Sequence, residues 1–120
     1  MSEVIKHTPK LWERRGETKS YFLVWCPGCG CGHCFWCGPG FDHPARWEFN
    51  GNYEKPSFSP SLRQFVLITD DDGVPVNPRQ EQTVCHLHVT DGEVRYCGDN
   101  PHKLNNQTVP MQDIPADYGF

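Results

Sequence analysis

The feature that most constrains this chain is a knuckle, Trp25-Cys26-Pro27-Gly28-Cys29-Gly30, trailed by Cys31, His33, Cys34 and Cys37, with Cys85-His86 far downstream. Two cysteines three residues apart, closed by Pro-Gly, hold both sulfurs on one side of a tight turn, the arrangement tetrahedral zinc asks of a ligand pair. Such a turn supplies two of four ligands, so the rest come from elsewhere in the chain. At 120 residues the chain is one domain's worth, with a core small enough to gain from a metal staple.

Cys85 is the natural third ligand. It alternates with Leu87 and Val89 along an extended run, so its sulfur shares their apolar face; the competing reading is a buried, inert thiol. For the fourth position His33 and His102 compete. His102 is preferred, as a loop histidine returning to the sheet. Cys31, Cys34 and Cys37, with Cys97 or His43, are either a second metal site or spare thiols of a glycine-rich loop. A thioredoxin-like role for the Cys-x-x-Cys pairs lacks the βαβ pattern it needs.

Seven cysteines cannot all pair, and Met1-Ser2-Glu3-Val4 has neither the charged start nor the apolar stretch of a signal peptide. The chain therefore reads as a cytosolic protein with reduced thiols, ahead of a secreted disulfide scaffold. No run approaches the roughly 20 apolar residues of a membrane helix. The net charge of −4 and scattered basic residues leave no electrostatic footprint for nucleic acid. A protein or peptide partner is expected, and oligomeric state is not readable.

Eleven glycines and eleven prolines punctuate the chain too often for long helices. Residues 1–19, polar apart from Ile5, Leu11 and Trp12, read as a loosely packed lead-in to a domain over 20–120. Strand signals are Tyr21–Trp25, Arg46–Phe49 before an Asn50-Gly51 turn, Phe65–Thr69 before Asp70-Asp71-Asp72-Gly73, and Thr83–Thr90 turning at Asp91-Gly92 into Glu93–Tyr96. The tail, with Pro101, Pro110 and Pro115, is expected to wrap the sheet as loop. The fold class is thus mainly β with room for a little helix: a compact, single-domain antiparallel sheet or barrel-like fold with an N-terminal zinc knuckle.

A second constellation is Lys55-Pro56-Ser57-Phe58-Ser59-Pro60-Ser61-Leu62, where extended geometry sets Ser57, Ser59 and Ser61 on one face and the prolines confine the segment to an edge or bulge. The bland reading is a polar edge strand. A serine hydroxyl needs an adjacent base to become a nucleophile, and His86, on the strand face opposite Cys85 and shared with His88, is a candidate base for Ser61. Alternatively, His86 and His88 bind a catalytic metal, or both are exposed strand residues.

The order Trp-Cys-Pro-Gly-Cys-Gly with His33, Trp47-x-Phe49-Asn50-Gly51-Asn52, Glu54 to Ser61, Cys85-His86, Asp91-Gly92, and Asp99-x-x-His102 through Gln107-Thr108-Val109-Pro110 resembles a small family common in tailed phages and prophages. Some of its members resemble proteins encoded beside bacterial ubiquitin-like conjugation genes, taken to act as serine peptidases with a Ser-His dyad. The resemblance spans about Trp25 to Pro110. It carries the family's Cys-x-x-Cys onto Cys26 and Cys29, its Ser-Pro-Ser onto Ser59 to Ser61, and its Cys-His onto Cys85 and His86. The chain departs at Asn100, often a cysteine in the family, and at Leu104-Asn105-Asn106, often Leu-Ala-Gly.

The resemblance implies a Ser-His peptidase on a structural-zinc scaffold, acting on ubiquitin-like or other protein substrates. Ser61 would be the nucleophile, with Ser59 the alternative, and His86 the general base. Cys26, Cys29, Cys85 and His102 would hold zinc. Asp99 would orient a histidine, and Gln107 or backbone amides would face an oxyanion. The alternative function is a non-enzymatic zinc-binding interaction module of a phage.

Overall fold

Short β-branched and aromatic runs between turn residues leave strands as the economical way to satisfy backbone hydrogen bonds. A computed structural model describes residues 3–17, 20–37 and 46–120, and His43 lies outside them. The first sheet is the antiparallel meander β1 (Glu3–Thr8), β2 (Leu11–Arg15), β3 (Ser20–Cys26), β4 (Cys31–Cys37). The second is β5 (Glu48–Phe49), β6 (Phe58–Leu67), β7 (Glu81–Thr90), β8 (Glu93–Tyr96), β9 (Thr108–Pro110), also antiparallel and in sequence order. Among the described residues there is no helix, and so none long and apolar enough to cross a membrane.

The sheets meet face to face. Leu11, Phe22, Val24 and Phe35 of the first pack with Phe58, Leu62, Leu87, Val89, Val94 and Tyr96 of the second. An aromatic cluster lies where they touch: Phe58 sits 4.6 Å from Phe35 and 5.5 Å from Phe22 between ring centroids. A backbone hydrogen bond from Trp47 to the Trp36 carbonyl (3.1 Å) joins them at one end. The mainly β, antiparallel reading holds, with two packed sheets as its form.

Residues 3–15, read as a loose lead-in, carry β1 and β2, with Leu11, Trp12 and Glu13 buried. Polarity there reflects paired charge. The Glu13 side chain, 3% exposed, accepts from Arg15 (2.9 Å) and contacts His7 Nε2 at 2.7 Å. Burial pushes its carboxyl up, but the Arg15 and His7 contacts outweigh that and leave it below the ordinary range.

Asp91-Gly92 forms the tight β7–β8 turn expected, with positive φ at both residues (49° and 79°). Asn50-Gly51 instead opens a longer loop: Asn50 N donates to the Ser57 carbonyl, and the Asn50 and Asn52 side chains cap the backbone between them. Asx turns there replace the two-residue hairpin. Met111 and Ile114 of the tail are buried against the sheets.

Candidate functional site

The knuckle sits where β3 turns into β4. Gly30 N donates to the Cys26 carbonyl (2.8 Å), closing the turn, and Cys29 N donates to the Cys26 sulfur (3.3 Å). Cys85, mid-β7 and 0% exposed, faces it across the sheets with its sulfur 3.9 Å from Cys26 Sγ. Register supplies the fourth donor. Val24 pairs with His33 and Cys26 with Cys31, so His33 shares the core face with Cys26 and Phe35.

Ligand atoms of Cys26, Cys29, His33 and Cys85 lie within 4.8 Å of one another, a set that can hold a metal ion. His33 is 2% exposed and neither ring nitrogen has a hydrogen-bond partner, a costly arrangement unless something else occupies a nitrogen. The thiols point the same way. Contact with Cys85, working against burial, lowers the Cys26 thiol to about 3, while the same contact pushes Cys85 up, and burial followed by the Cys26 charge raises Cys29 to about 11. Burial and mutual contact thus work against ionising all three thiols together, an opposition that a bound cation would relieve.

His102, the expected fourth ligand, stands on the outer flank of this group. Its Nε2 is 3.6 Å from Cys85 Sγ, its Nδ1 accepts from Leu104 N (3.2 Å), and its ring meets Tyr96 edge-on at 4.7 Å. It also covers Gly28, where an added Cβ would lie 2.6 Å from the ring. Gly28→Ala is therefore expected to lower stability by about 1–3 kcal/mol. Denaturant unfolding in wild-type and His102→Ala backgrounds checks this, with a smaller cost in the second.

Among the described residues, no metal-ligand group contains Cys31, Cys34 or Cys37. Cys34 faces away from the core, toward the Trp12, Leu23 and Ile114 cluster. The Cys37 sulfur donates to the Phe35 carbonyl at 3.8 Å.

On the outer face of the second sheet, alternation sets His86 opposite Cys85. His86 pairs with Arg63, so Ser61, two residues before Arg63, is its diagonal neighbour. Ser61 Oγ lies 3.1 Å from His86 Nε2, and His86 Nδ1 lies 3.0 and 3.2 Å from the two Asp99 carboxylate oxygens. The Ser57, Ser59 and Ser61 ridge is not uniform, because the β6–β7 register shifts between Phe58 and Leu62. Ser57 Oγ accepts from Asp91 N (2.8 Å) and is structural, whereas Ser59 is exposed.

Asp99 stays below its usual value: burial pushes it up, but its own backbone amide and the His86 ring outweigh that. Asn100, marked by the sequence only as a departure from the family pattern, anchors the histidine. Its carboxamide accepts from His86 N and donates to the His86 and Cys97 carbonyls, each at 2.8 Å. Nothing in Gly98-Asp99-Asn100-Pro101 beyond ordinary turn composition signals this role. His88 stacks parallel to His86 at 6.4 Å, and the group containing His86 that can hold a metal includes Cys97 and Asp99 instead of His88.

A groove of about 640 Å³ opens beside Ser61, floored by Phe49, Phe58, Pro60 and Val89 and edged by Ser59, Glu48 and His88. Gln107 is not among its lining residues, and its side-chain amide donates to the Lys103 carbonyl. The site therefore joins a hydroxyl, an imidazole and a carboxylate in series at the end of a partly apolar trough. It shares strand β7 with the buried Cys and His group.

A family model described as bacterial ubiquitination-like system serine protease (BubE) matches residues 2–97. No curated protein and no solved structure matches the chain.

Proposed function

The chain belongs to the bacterial ubiquitination-like system serine protease family, and on that premise we propose that Ser61, His86 and Asp99 form a serine peptidase centre on a zinc-held scaffold. The carrying observation is the hydrogen-bonded series from Ser61 Oγ through both His86 nitrogens to Asp99. Asp99 keeps the Nδ1 hydrogen of His86 engaged, which leaves the Nε2 lone pair facing Ser61. His86 Nε2 takes the Ser61 proton as Oγ attacks a carbonyl carbon, then returns it to the departing amine. Asn100 holds the backbone of His86, so the imidazole needs little reorganisation.

The groove supports an extended peptide as substrate, its apolar floor taking side chains and its mouth delivering the scissile carbonyl to Ser61. In the family's setting that peptide belongs to a ubiquitin-like or other protein partner. Cys26, Cys29, Cys85 and His33 are the residues that would hold zinc. When bound, zinc cross-links the two sheets and fixes β7, the strand that presents His86 on its other face.

A fluorophosphonate probe tests this reading. Labelling of wild type and Ser59→Ala, with none in folded Ser61→Ala, is the expected result. Labelling that survives in Ser61→Ala and disappears in Ser59→Ala would reassign the nucleophile. A folded protein that never labels would favour a non-enzymatic zinc-binding module.

A further inference from the structure

The proposed peptidase chemistry leaves one side chain at its centre without a task. Cys97 is half-buried beside the histidine, and its sulfur, a His86 ring nitrogen and an Asp99 carboxylate oxygen lie within 4.8 Å of one another. The three are carried on tied backbone. Cys97 N donates to the His86 carbonyl (3.0 Å), and the buried Asn100 carboxamide binds His86 on both its N–H and its carbonyl and Cys97 on its carbonyl. Thiolate, imidazole and carboxylate together select a zinc-like cation over magnesium or calcium.

We propose that His86, Cys97 and Asp99 form a second, inhibitory zinc site, distinct from the buried one. It rests on the Ser61–His86 reading for its consequence but not for its existence. Asp99 engages Nδ1, so a cation bridging Asp99 and Cys97 takes the Nδ1 lone pair in place of the hydrogen held there. A neutral imidazole metallated at Nδ1 carries its hydrogen on Nε2. The nitrogen facing Ser61 Oγ then donates where it had accepted, and it can no longer receive the serine proton. The Cys97 thiol proton leaves to solvent, while the ring gives up its Nδ1 hydrogen and takes one at Nε2 from solvent, a change of tautomer with no net loss from the imidazole.

Accessibility separates the two sites. Side-chain exposure is 25% at His86 and 47% at Asp99, whereas in the inner group Cys26, His33 and Cys85 are buried and Cys29 is half-buried. With three protein ligands and an open side, the outer ion exchanges readily, whereas the inner group offers four ligands, three of them buried. Rising free zinc thus switches off the peptidase without touching the scaffold.

The test titrates zinc into protein already carrying one zinc, following fluorophosphonate labelling and binding of a second equivalent by calorimetry. Wild type is expected to bind a second zinc and lose labelling in step, with a mild chelator restoring it while the far-ultraviolet circular dichroism stays constant. Cys97→Ser is expected to label normally without added zinc and to need about tenfold more zinc for inhibition. Equal inhibition of Cys97→Ser and wild type, or no second zinc in wild type, overturns the proposal. If Ser61 never labels, the calorimetry still decides: a second zinc lost in Cys97→Ser upholds the site while the peptidase reading fails.

Discussion

His86→Ala is expected to lower peptide hydrolysis by about 10⁴- to 10⁶-fold, because the proposed nucleophile loses the base it is hydrogen-bonded to. Ser61 Oγ is 3.1 Å from His86 Nε2, whereas Ser57 Oγ is occupied by Asp91 N. Folding should survive, since His86 faces outward and contributes nothing to the core cluster. Single-turnover hydrolysis, run beside circular dichroism and zinc analysis, separates chemical from structural loss. A residual rate within about tenfold of wild type would remove His86 from the mechanism.

The second large effect concerns the scaffold. Cys85→Ser is expected to abolish stoichiometric zinc binding and leave the chain largely unfolded at 25 °C. The reason is magnitude: structural zinc contributes about 10–16 kcal/mol in small domains, against a net domain stability of about 5–15 kcal/mol. Cys85 also joins the sheets, its sulfur 3.9 Å from that of Cys26. Cys34→Ser is the matched control, because Cys34 lies on the other face of β4. It should keep one zinc and near-wild-type stability. Equal zinc content in Cys85→Ser and wild type, by native mass spectrometry, would disprove the buried site.

Much of this architecture was legible because it rests on short-range rules. The Cys-Pro-Gly-Cys turn announces itself, and two-residue alternation puts Cys85 with Leu87 and Val89 while turning His86 outward. The Asp91-Gly92 turn is equally local. What escaped depends on strand pairing. Cys31, Cys34 and Cys37 read as either second-site ligands or spare thiols of a glycine-rich loop, yet they lie on β4, and the Val24–His33 register brings His33 to the core face beside Cys26. With β4 recognised, the parity of His33 with Phe35 sets it beside the sulfurs along with His102, whose Nε2 is 3.6 Å from Cys85 Sγ.

The N-terminal strands escaped for a different reason. Composition counts Glu13 as polar, whereas the fold buries it by pairing it with His7 and Arg15. Asn100 is harder still, since its three bonds to the His86 and Cys97 backbone exist only once β7 and the loop after β8 are adjacent. The serine ridge is local, and Pro60 signals the edge or bulge that takes form as the register shift between Phe58 and Leu62; that the shift gives Ser57 and Ser61 different partners depends on strand pairing and has no local signature.

The central claim is that a zinc-held scaffold presents Ser61 to His86 as a working nucleophile. Native mass spectrometry of the protein after fluorophosphonate treatment, with the adduct located by peptide mapping, tests it most directly. One phosphonate per chain is expected, on Ser61, confined to chains that carry one zinc. Chains that hold one zinc and take no adduct, or an adduct equally abundant on metal-free chains, would contradict it.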